Sequence, residues 1–456
     1  MTLQNTSVSP RQSSSRRERA ASHLTLERRP FVFGALVVFF FLYYYRPEDF
    51  LRFLVYIHMA RVSGVVAFVA LLAGMMGGAK LKMPRAVKLL WVLLIQMAIC
   101  IPFALWPGAA FFTVFDKFAK GVIVAMLISM VVVSLGELRK LLWIQANAVA
   151  LVTFLSIAMR NYQDDGRLSG VQESILSNPN DLAINIAISF PLAMAFMLGS
   201  RGVTKILWAS ALAIMAVGVV LTSSRSGLLA LVIIIGICVW EYGVKGKRRQ
   251  LVMATILALV LGCGIAASSA HYRARVESIF LGNIEGSGDK NSREARIELL
   301  KKSVNVALTH PVLGVGPGCF ILVDQGWHVA HNAYTELAAE AGIPALVLFL
   351  MAMAAAFKNI AQVRRTPQYR QSPELRLFTQ ALWAGLVGYM VGSVFASTEY
   401  NLYPYFVIGY TCAMVRITNE PPPALDPDLK SPEARPQRLT KATYDRVLKP
   451  QTLRSR

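Results

Sequence analysis

Residues 205–222 read KILWASALAIMAVGVVLT and contain a single charged side chain, Lys205. As an α-helix this stretch would rise about 27 Å, close to the roughly 30 Å of a bilayer's hydrocarbon core. The whole chain agrees with that reading, since 55% of its 456 residues are hydrophobic, 16% are charged and the mean hydropathy is +0.48. A soluble globular protein of this size is far less apolar, so the sequence predicts a membrane protein.

Comparable apolar segments recur along the chain, and about twelve of them are long enough to be considered as spans, although the first and the last are short. They lie at approximately 31–45, 60–78, 87–106, 118–135, 141–159, 180–199, 205–222, 227–244, 250–269, 333–357, 378–397 and 401–415. The sequence therefore predicts an all-α, polytopic integral membrane protein of about twelve transmembrane helices. One long and partly helical loop, at about 270–330, is expected on the external side.

The net charge of +21 is distributed in a way that indicates topology. If the N terminus is cytoplasmic, alternate loops read KLKMPRAVK, GELRK, SRGVTK, VKGKRRQ and KNIAQVRRTPQYRQ, and all of them are basic. This is the pattern of the positive-inside rule, and it predicts a multi-pass protein of the cytoplasmic membrane with both termini cytoplasmic. The same pattern argues against a nucleic-acid-binding role.

The two ends of the chain differ from the apolar middle. Residues 1–30 are basic and lack an apolar core, so they are predicted to be a disordered cytoplasmic tail rather than a signal peptide. Residues 418–456 are Pro-rich and polar, and are predicted to be a second disordered cytoplasmic tail. The transmembrane domain is expected to be 31–417. The five cysteines form no CxxC pair, so neither a disulfide framework nor a thiolate metal site is indicated.

The long external loop contains NSREARIELLKKSVNVALTHP, residues 291–311, which has a helical pattern. Asn291 and Glu294 are spaced like a capping box, and Pro311 marks the expected end. The apolar positions at helical spacing are Ile297, Leu300, Val304 and Leu308. Arg293 and Arg296 lie on one face near the helix start, where they would either contact solvent and lipid headgroups or bind an anion.

A glycine-rich stretch follows, HPVLGVGPGCF at 310–320. Its spacing is not GxGxxG and no βαβ unit surrounds it, so we interpret it as a tight turn rather than a nucleotide-binding loop.

Two further polar motifs occur at predicted external ends of spans. In LTSSRSGLLAL, residues 221–231, Arg225 lies where a helix begins, with Ser224 or Ser226 as the expected cap. The N–H groups of a helix start beside an arginine form a good anion site, although an arginine there can also snorkel to headgroups.

The other motif is SILSNPNDLAINIAISF, residues 174–190. Here Asn180 or Asp181 is expected to cap a helix, and Asp181 could alternatively orient a sugar hydroxyl or an arginine.

The segment HNAYTELAAEAG, beginning at His331, leads into another apolar helix. Asn332 is a plausible cap, and the positive end of the helix should keep the imidazole of His331 neutral. Glu336 and Glu340 lie four residues apart on one stripe and could pair with Arg225 or Arg296.

A zinc site at this segment is not indicated. His328 and His331 lie close in sequence, but no HExxH motif accompanies them and a third ligand would have to be assumed.

Four stretches in this order, SNPNDLA, SSRSG, ARIELLKKSVNVALTHPVLGVGPGCF and HNAYTELAAEAGIPAL, resemble the O-antigen ligase family, which includes polysaccharide polymerases and bacterial O-oligosaccharyltransferases. The resemblance covers roughly 175–350. It implies a membrane glycosyltransferase that moves a glycan from undecaprenyl pyrophosphate to an acceptor hydroxyl, such as that of lipid A core, on the periplasmic side. Neither a cofactor nor a metal is implied.

The resemblance also assigns roles to residues. It places pyrophosphate-binding arginines at Arg225 and Arg296 and the essential histidine at His331, while Arg293 is a nearby candidate without a firm match. The capping and charge arguments given above, rather than the resemblance, make Asn332, Glu336, Glu340 and Asp181 candidate supporting residues. Where the family often has an aromatic residue three positions after the loop arginine, this chain has Leu299. That departure bears on loop packing rather than on charge.

Alternatives remain open at the level of the sequence. Ligase-type transfer is favoured, but a polymerase or a protein glycosyltransferase would use the same donor. A glycan transporter would share the many spans, but transporters usually show internal repeats and broken helices near the bilayer midplane. Here no repeat is seen and the polar motifs lie at external ends.

Overall fold

The computed structural model describes residues 29–45, 62, 64–69, 83–163, 166–170, 178–250, 252–253, 289–323 and 328–419. Within these ranges the regular structure is helical, apart from one isolated antiparallel bridge between Tyr162 and Leu168. The all-α prediction is therefore confirmed for the part of the chain that is described. The predicted tails lie outside it, except for the few residues at which the first helix begins and the last helix ends.

The helices are numbered here in chain order. They are α1 (Arg29–Tyr45), α2 (Arg85–Cys100) with a 3₁₀ turn (Ile101–Phe103), α3 (Pro107–Phe112) with a π-helical turn (Thr113–Phe118), α4 (Ala119–Val131), α5 (Leu135–Ala158), α6 (Pro179–Gly199), α7 (Gly202–Leu221), α8 (Arg225–Cys238) with a π-helical turn (Val239–Val244), α9 (Asp289–Thr309), α10 (Phe320–Val323), α11 (Ala333–Arg365), α12 (Pro367–Gln371), α13 (Pro373–Gly392) and α14 (Tyr403–Asn419).

Six helices in the described ranges are long and apolar enough to cross a membrane, namely α2, α5, α6, α7, α8 with its π-helical turn, and α11. A polytopic membrane protein is therefore supported. Every predicted apolar segment contains helical residues, although 60–78 and 250–269 lie mostly outside the described residues. The total of about twelve spans stays a prediction.

Helix α6 is central, because it packs against α5, α7, α8 and α13. Its contact with α8 is especially close at Gly227, where an added Cβ would lie 2.3 Å from the Cβ of Ala183. Only a residue without a side chain allows this approach. The first turn of α6 and the first turn of α8 are therefore side by side, which joins two of the polar motifs.

Helix α11 is kinked at Gly342, which has φ +85° and a non-helical conformation. Pro344 has no N–H to donate to the preceding turn, and the N–H of Ile343 donates instead to the carbonyl of Pro311 at 2.7 Å. The kink thus leaves carbonyl groups of the first segment of α11 without their helical donors. In a bilayer such groups must be satisfied by neighbouring parts of the protein.

The glycine-rich turn satisfies them. Val315 and Gly316 donate their N–H groups to the carbonyls of Ala339 and Glu340, at 2.9 and 2.8 Å. Gly314 has φ +64°, and a Cβ there would lie 2.3 Å from the carbonyl carbon of Glu340. The prediction of a tight turn is confirmed, and the turn joins α9 to the kinked helix α11.

The loop helix α9 packs on α11 through a face different from the one its apolar pattern suggests. Its buried positions are Leu299, Ser303, Val306 and Ala307, and Ser303 Oγ donates to Thr335 Oγ1 at 2.9 Å. The predicted apolar positions are instead exposed; they are Ile297 (44%), Leu300 (37%), Val304 (40%) and Leu308 (67%). Since lipid is as apolar as a protein interior, an apolar stripe does not by itself identify the packed face of a membrane-protein helix.

The ends of α9 are partly as expected. It stops at Thr309, before Pro311. The predicted capping box is wrong, because the helix already includes Asp289 and Asn291 therefore lies inside its first turn. Aspartate early in a helix is favourable for the helix dipole, so the helix can extend beyond Asn291.

Candidate active site

The segment 393–402, between α13 and α14, connects the polar motifs to one another. Ser397 lies within hydrogen-bonding distance of the backbone N–H of His331, Tyr400 donates its hydroxyl to Glu340, and Asn401 Nδ2 donates to Asp181 Oδ1 at 2.9 Å. Sequence reasoning missed this segment. Its signal was the polar run STEYN, residues 397–401, between two apolar segments.

Glu399, in the same segment, is 2% exposed. Burial, and then the neighbouring charges of Glu336 and Glu340, raise the pKa of Glu399 well above the ordinary value of a glutamate. A neutral carboxylic acid is therefore expected there at neutral pH, and the segment adds little negative charge to the site.

His331 precedes α11 and has a left-handed backbone with φ +54°. Such a conformation is uncommon for residues other than glycine, although histidine is among the enriched types. Its N–H donates to Ser397 Oγ at 3.1 Å. At the next residue, Asn332 Oδ1 accepts from the N–H groups of Tyr334 and Thr335 at 3.0 and 3.1 Å, so the prediction that Asn332 caps the helix is confirmed. These contacts hold the imidazole-bearing residue in an otherwise unfavourable turn.

Glu336 supports that turn from the first turns of α11. It is 4% exposed, and its Oε2 accepts from the N–H of Ala330 at 3.0 Å and from the hydroxyl of Ser397. The sequence suggested that Glu336 could pair with an arginine. In the structure its carboxylate instead accepts hydrogen bonds from the N–H of Ala330, the residue before His331, and from the hydroxyl of Ser397. That hydroxyl in turn accepts from the N–H of His331.

If His331 is a catalytic base, we expect Glu336→Ala to lower the rate of catalysis by roughly 10²-fold, the cost that a misplacement of about 1 Å can produce. Glu336→Gln should keep most of the rate, because one amide oxygen can accept both hydrogen bonds. Turnover and donor KM of the two variants would be measured together. Equal losses in both would show that the charge of Glu336 matters rather than its positioning of the turn.

The imidazole of His331 is held in its neutral form. Burial, and then the positive charges of Arg296, His328 and Arg167, lower the pKa of His331 from 6.5 to about 4. The sequence predicted a neutral ring from the helix dipole, whereas the structure adds burial and two arginines as causes. A neutral imidazole near pH 7 can accept a proton.

The pH dependence of kcat/KM, which reports the free enzyme, should reflect this shift. Because the pKa of His331 is lowered, the neutral base persists as the pH falls through 6.5, and activity should decline only as the pH approaches about 4. A rate profile between pH 3.5 and 8 on lipid-reconstituted protein would measure it. An acid limb centred at 6.5 would contradict the prediction that the half-buried His331 is the base.

Arg296 lies on α9, half-buried, one turn before the buried Leu299 and two turns before Ser303. Since Ser303 bonds to Thr335 in the first turn of α11, this face of α9 points toward the start of α11. Leu299 is buried where the family often has an aromatic residue, so the smaller side chain still fills the contact. Arg296 is thereby brought close enough to His331 to lower its pKa.

Arg225 is the first residue of α8 and its side chain is exposed. Ser224 caps the helix, because its Oγ accepts from the N–H of Gly227 at 3.2 Å, and Ser226 Oγ lies 3.0 Å from that hydroxyl. Of the two predicted caps, Ser224 is the one used. Arg225 therefore lies at the positive end of a capped helix, as an anion site requires.

The motif at the start of α6 differs in detail from the prediction. The cap is Asn178, whose Oδ1 accepts from the N–H of Asn180 at 2.8 Å, and neither Asn180 nor Asp181 caps the helix. The reason is Pro179, which favours the first helical position and so makes the residue before it, Asn178, the cap. Asn180 Oδ1 accepts instead from Arg167 Nη2 at 2.8 Å.

The carboxylate of Glu340 binds the glycine-rich turn and the segment 393–402, and not an arginine as the sequence suggested. It is 1% exposed, and its carboxylate accepts from the N–H groups of Gly318 and Phe320, at 2.7 and 3.0 Å, and from the hydroxyl of Tyr400. A buried carboxylate with three donors is well compensated. Glu340 thus ties the glycine-rich turn and the segment 393–402 to α11.

The remaining predicted group is Arg293, whose side chain lies outside the described residues. Among the residues that are described, no group of three His, Cys, Asp or Glu side chains is arranged to hold a metal ion.

Comparison with known proteins shows what the chain is similar to. The family model described as O-Antigen ligase matches residues 210–350, a range that contains Arg225, Arg296 and His331. The exopolysaccharide production protein ExoQ of Rhizobium meliloti (strain 1021) is 26% identical over 276 residues, which are 55% of this chain and 60% of that relative.

A chain from the solved structure titled "Structural coordination of polymerization and crosslinking by a peptidoglycan synthase complex" also aligns. It has 15% identity and a TM-score of 0.44, over 74% of this chain and 98% of that one, a similarity too low to support a conclusion. The match over 210–350 confirms the resemblance seen in the motifs: this part of the chain is similar to the O-antigen ligase family.

Proposed function

We propose that this protein is a membrane glycosyltransferase that moves a glycan from a lipid diphosphate to a hydroxyl group of an acceptor. The observation that carries the proposal is that the half-buried His331 has its pKa lowered by burial and by the charge of Arg296, within the stretch that matches the O-antigen ligase family. A base for the acceptor and a cation for the leaving group are the two groups such a transfer needs.

In the proposed mechanism, Arg225 and Arg296 bind the diphosphate of the donor. Their guanidinium groups can each make paired hydrogen bonds to phosphate oxygens and stabilise the charge that develops as the anomeric C–O bond breaks. The leaving diphosphate needs no proton.

His331 then accepts the proton of the acceptor hydroxyl while that oxygen attacks the anomeric carbon in line, which inverts the configuration there. Glu336 and Ser397 hold the backbone of His331, so the imidazole is positioned before the acceptor arrives. The proposal requires no metal and no cofactor.

The proposed donor is an undecaprenyl-pyrophosphate-linked glycan, and the proposed location is the cytoplasmic membrane of a bacterium with the site facing the periplasm. The family resemblance and the basic loops on the opposite side support both. The donor's lipid would remain in the surrounding membrane while its diphosphate reaches the arginines.

The proposal has two forms, a ligase and a polymerase, which differ in the acceptor that receives the glycan. A ligase would transfer the glycan to lipid A core, the form that the sequence motifs favoured. A polymerase would transfer it to a growing polysaccharide, and the name of the rhizobial relative, an exopolysaccharide production protein, favours this second form.

The test is transfer by the purified full-length protein in lipid vesicles. Undecaprenyl-pyrophosphate-linked glycan would be supplied with lipid A core or with no added acceptor, in the presence of a metal chelator. A single glycan joined to lipid A core indicates a ligase, and a ladder of repeats on undecaprenyl pyrophosphate indicates a polymerase. Movement of the donor across the bilayer without a new glycosidic bond would contradict both and favour a transporter.

A further inference from the structure

The second half of α9 differs from the first half in charge. Residues 289–302 read DKNSREARIELLKK, and all of the Asp, Glu, Lys and Arg residues of the helix lie there. Residues 303–313 read SVNVALTHPVL and contain none of these four types. A helix that lies in water carries charged and polar residues on its exposed side, so the change along α9 indicates a change of surroundings.

The second half of α9 runs beside the start of α11 and in the same direction. Ser303 bonds to Thr335. Eight residues further along both segments, Pro311 accepts from the N–H of Ile343. Eight helical residues rise about 12 Å. Since α11 is long and apolar enough to cross a membrane, the turns of α9 after Ser303 follow it from the side of His331 toward the bilayer.

A hydrogen bond to α2 indicates the depth that this segment reaches. The Nε2 of Gln96 donates to the carbonyl of Val312 at 3.0 Å. Helix α2 with its 3₁₀ turn is also long and apolar enough to cross a membrane, and the exposed side chains on either side of Gln96 are Ile95 and Ile99. Apolar side chains on the outside of a membrane-crossing helix face lipid, which is as apolar as they are. Val312, which is itself exposed, therefore lies at the level of the lipid chains.

The exposed stripe of α9 leads to Val312. Leu300, Val304 and Leu308 are four residues apart, beside the face that packs on α11, and their side chains are exposed. These three residues and Val312 are called the apolar row. Arg296 lies four residues before Leu300, at the other end of the row. A cation followed by an apolar row is typical of a helix at a membrane surface, with the cation among headgroups and the row among acyl chains.

We propose that the second half of α9 is inserted into the leaflet on the side of His331, where the apolar row contacts the acyl chains of membrane lipids. The inference goes beyond the proposed function and does not depend on glycan transfer. The insertion is shallow, about 5–10 Å into the boundary between headgroups and acyl chains, because the segment retains the polar side chains of Asn305 and His310. It places Arg296, about 12 Å further along the helix than Val304, among the headgroups and their phosphates.

The test uses spin labels on the purified full-length protein in vesicles of phosphatidylethanolamine and phosphatidylglycerol. A nitroxide is attached to Val304→Cys, Leu308→Cys or Lys301→Cys, and its collision rates with oxygen, which concentrates among acyl chains, and with a water-soluble nickel complex are measured. Labels at 304 and 308 should collide more often with oxygen, and the label at the exposed charged position 301 should show the reverse. Unchanged protein, in which the four cysteines of the described ranges are buried, gives the background labelling.

Two results would overturn the proposal. More frequent collisions with the nickel complex at 304 and 308 would show that the apolar row faces water. Few collisions with either reagent at these two positions would show that another part of the protein, or a second copy of it, covers the row.

A second measurement uses the wild-type chain if the labelled variants do not fold. Vesicles containing phosphatidylglycerol with a diazirine on its acyl chain are irradiated, and the crosslinked residues are located by mass spectrometry. Crosslinks within 300–312 are expected. Their absence in a sample where the exposed Ile99 of α2 is crosslinked would contradict the proposal. Neither measurement involves glycan transfer, so failure of this inference leaves the proposed function intact.

Discussion

His331→Ala should reduce glycan transfer by about 10²- to 10⁴-fold, the usual contribution of a positioned general base. The imidazole is the only part of His331 that the mechanism uses, and it is neutral because burial and nearby positive charges lower its pKa to about 4. The measurement is initial transfer rate in vesicles, with the amount of inserted, monodisperse protein determined for each variant. Donor binding should change little, since the arginines remain.

Two controls make this result specific. His331→Asn introduces a residue that tolerates a positive φ, so it keeps the turn but lacks the base, and it should be as inactive as the alanine variant. His310→Ala removes an exposed histidine of the same external loop and should transfer normally. Normal transfer by the asparagine variant would show that the backbone conformation of residue 331 matters and that the imidazole does not.

Arg296→Gln should raise donor KM about 10- to 100-fold, because it removes hydrogen bonds to a charged phosphate. Arg296→Lys should recover only part of this loss, since lysine keeps the charge but not the planar fork. The glutamine variant should also move the acid limb of the pH profile upward, because one of the charges that lower the pKa of His331 is gone.

Steady-state kinetics with varied donor would test this prediction. Lys301→Gln, an exposed position on the same helix, is the matched control and should leave donor KM unchanged. If Arg296→Lys has the wild-type donor KM, paired recognition of the diphosphate is wrong, and the same criterion applies to Arg225→Lys. An unmoved pH profile in Arg296→Gln would contradict the electrostatic link between Arg296 and His331.

The local features of the site were accessible from residue types and spacing. A serine before an arginine at the start of an apolar run predicts a capped helix, and Ser224 has that role. An asparagine before a helical run predicts a cap, and Asn332 has that role. Both predictions depend on atoms a few residues apart along the chain, so no knowledge of distant contacts was needed.

Predictions that depended on the partner of a side chain were less successful. Glu336 and Glu340 were suggested as partners for arginines, whereas in the structure they hold backbone N–H groups of the loop, together with Ser397 and Tyr400. Because any of several donors can satisfy a buried carboxylate, its position on a helix does not reveal which donor the fold supplies.

The packed face of a helix was hardest to predict where apolar residues at helical spacing could face either lipid or protein. The exposed stripe of α9, which includes Ile297 and Leu308, has the same pattern as a packed face, and only the pairing of Ser303 with Thr335 identifies the side that contacts α11. The hydrogen bonds of Arg167 to Thr222 and Asn180 were likewise hidden, because nothing near Arg167 in the sequence indicates them.

The sequence by itself determined that this is a helical membrane protein, that its polar motifs occur where helices begin, and that it resembles the O-antigen ligase family. Composition, helix length and capping are short-range properties, and they persist whatever the helices pack against. The tertiary structure decided that Gly342 breaks α11, that the segment 393–402 joins the motifs, and that two arginines act on His331. These depend on contacts between residues far apart in the chain, which arise only when the helices pack together.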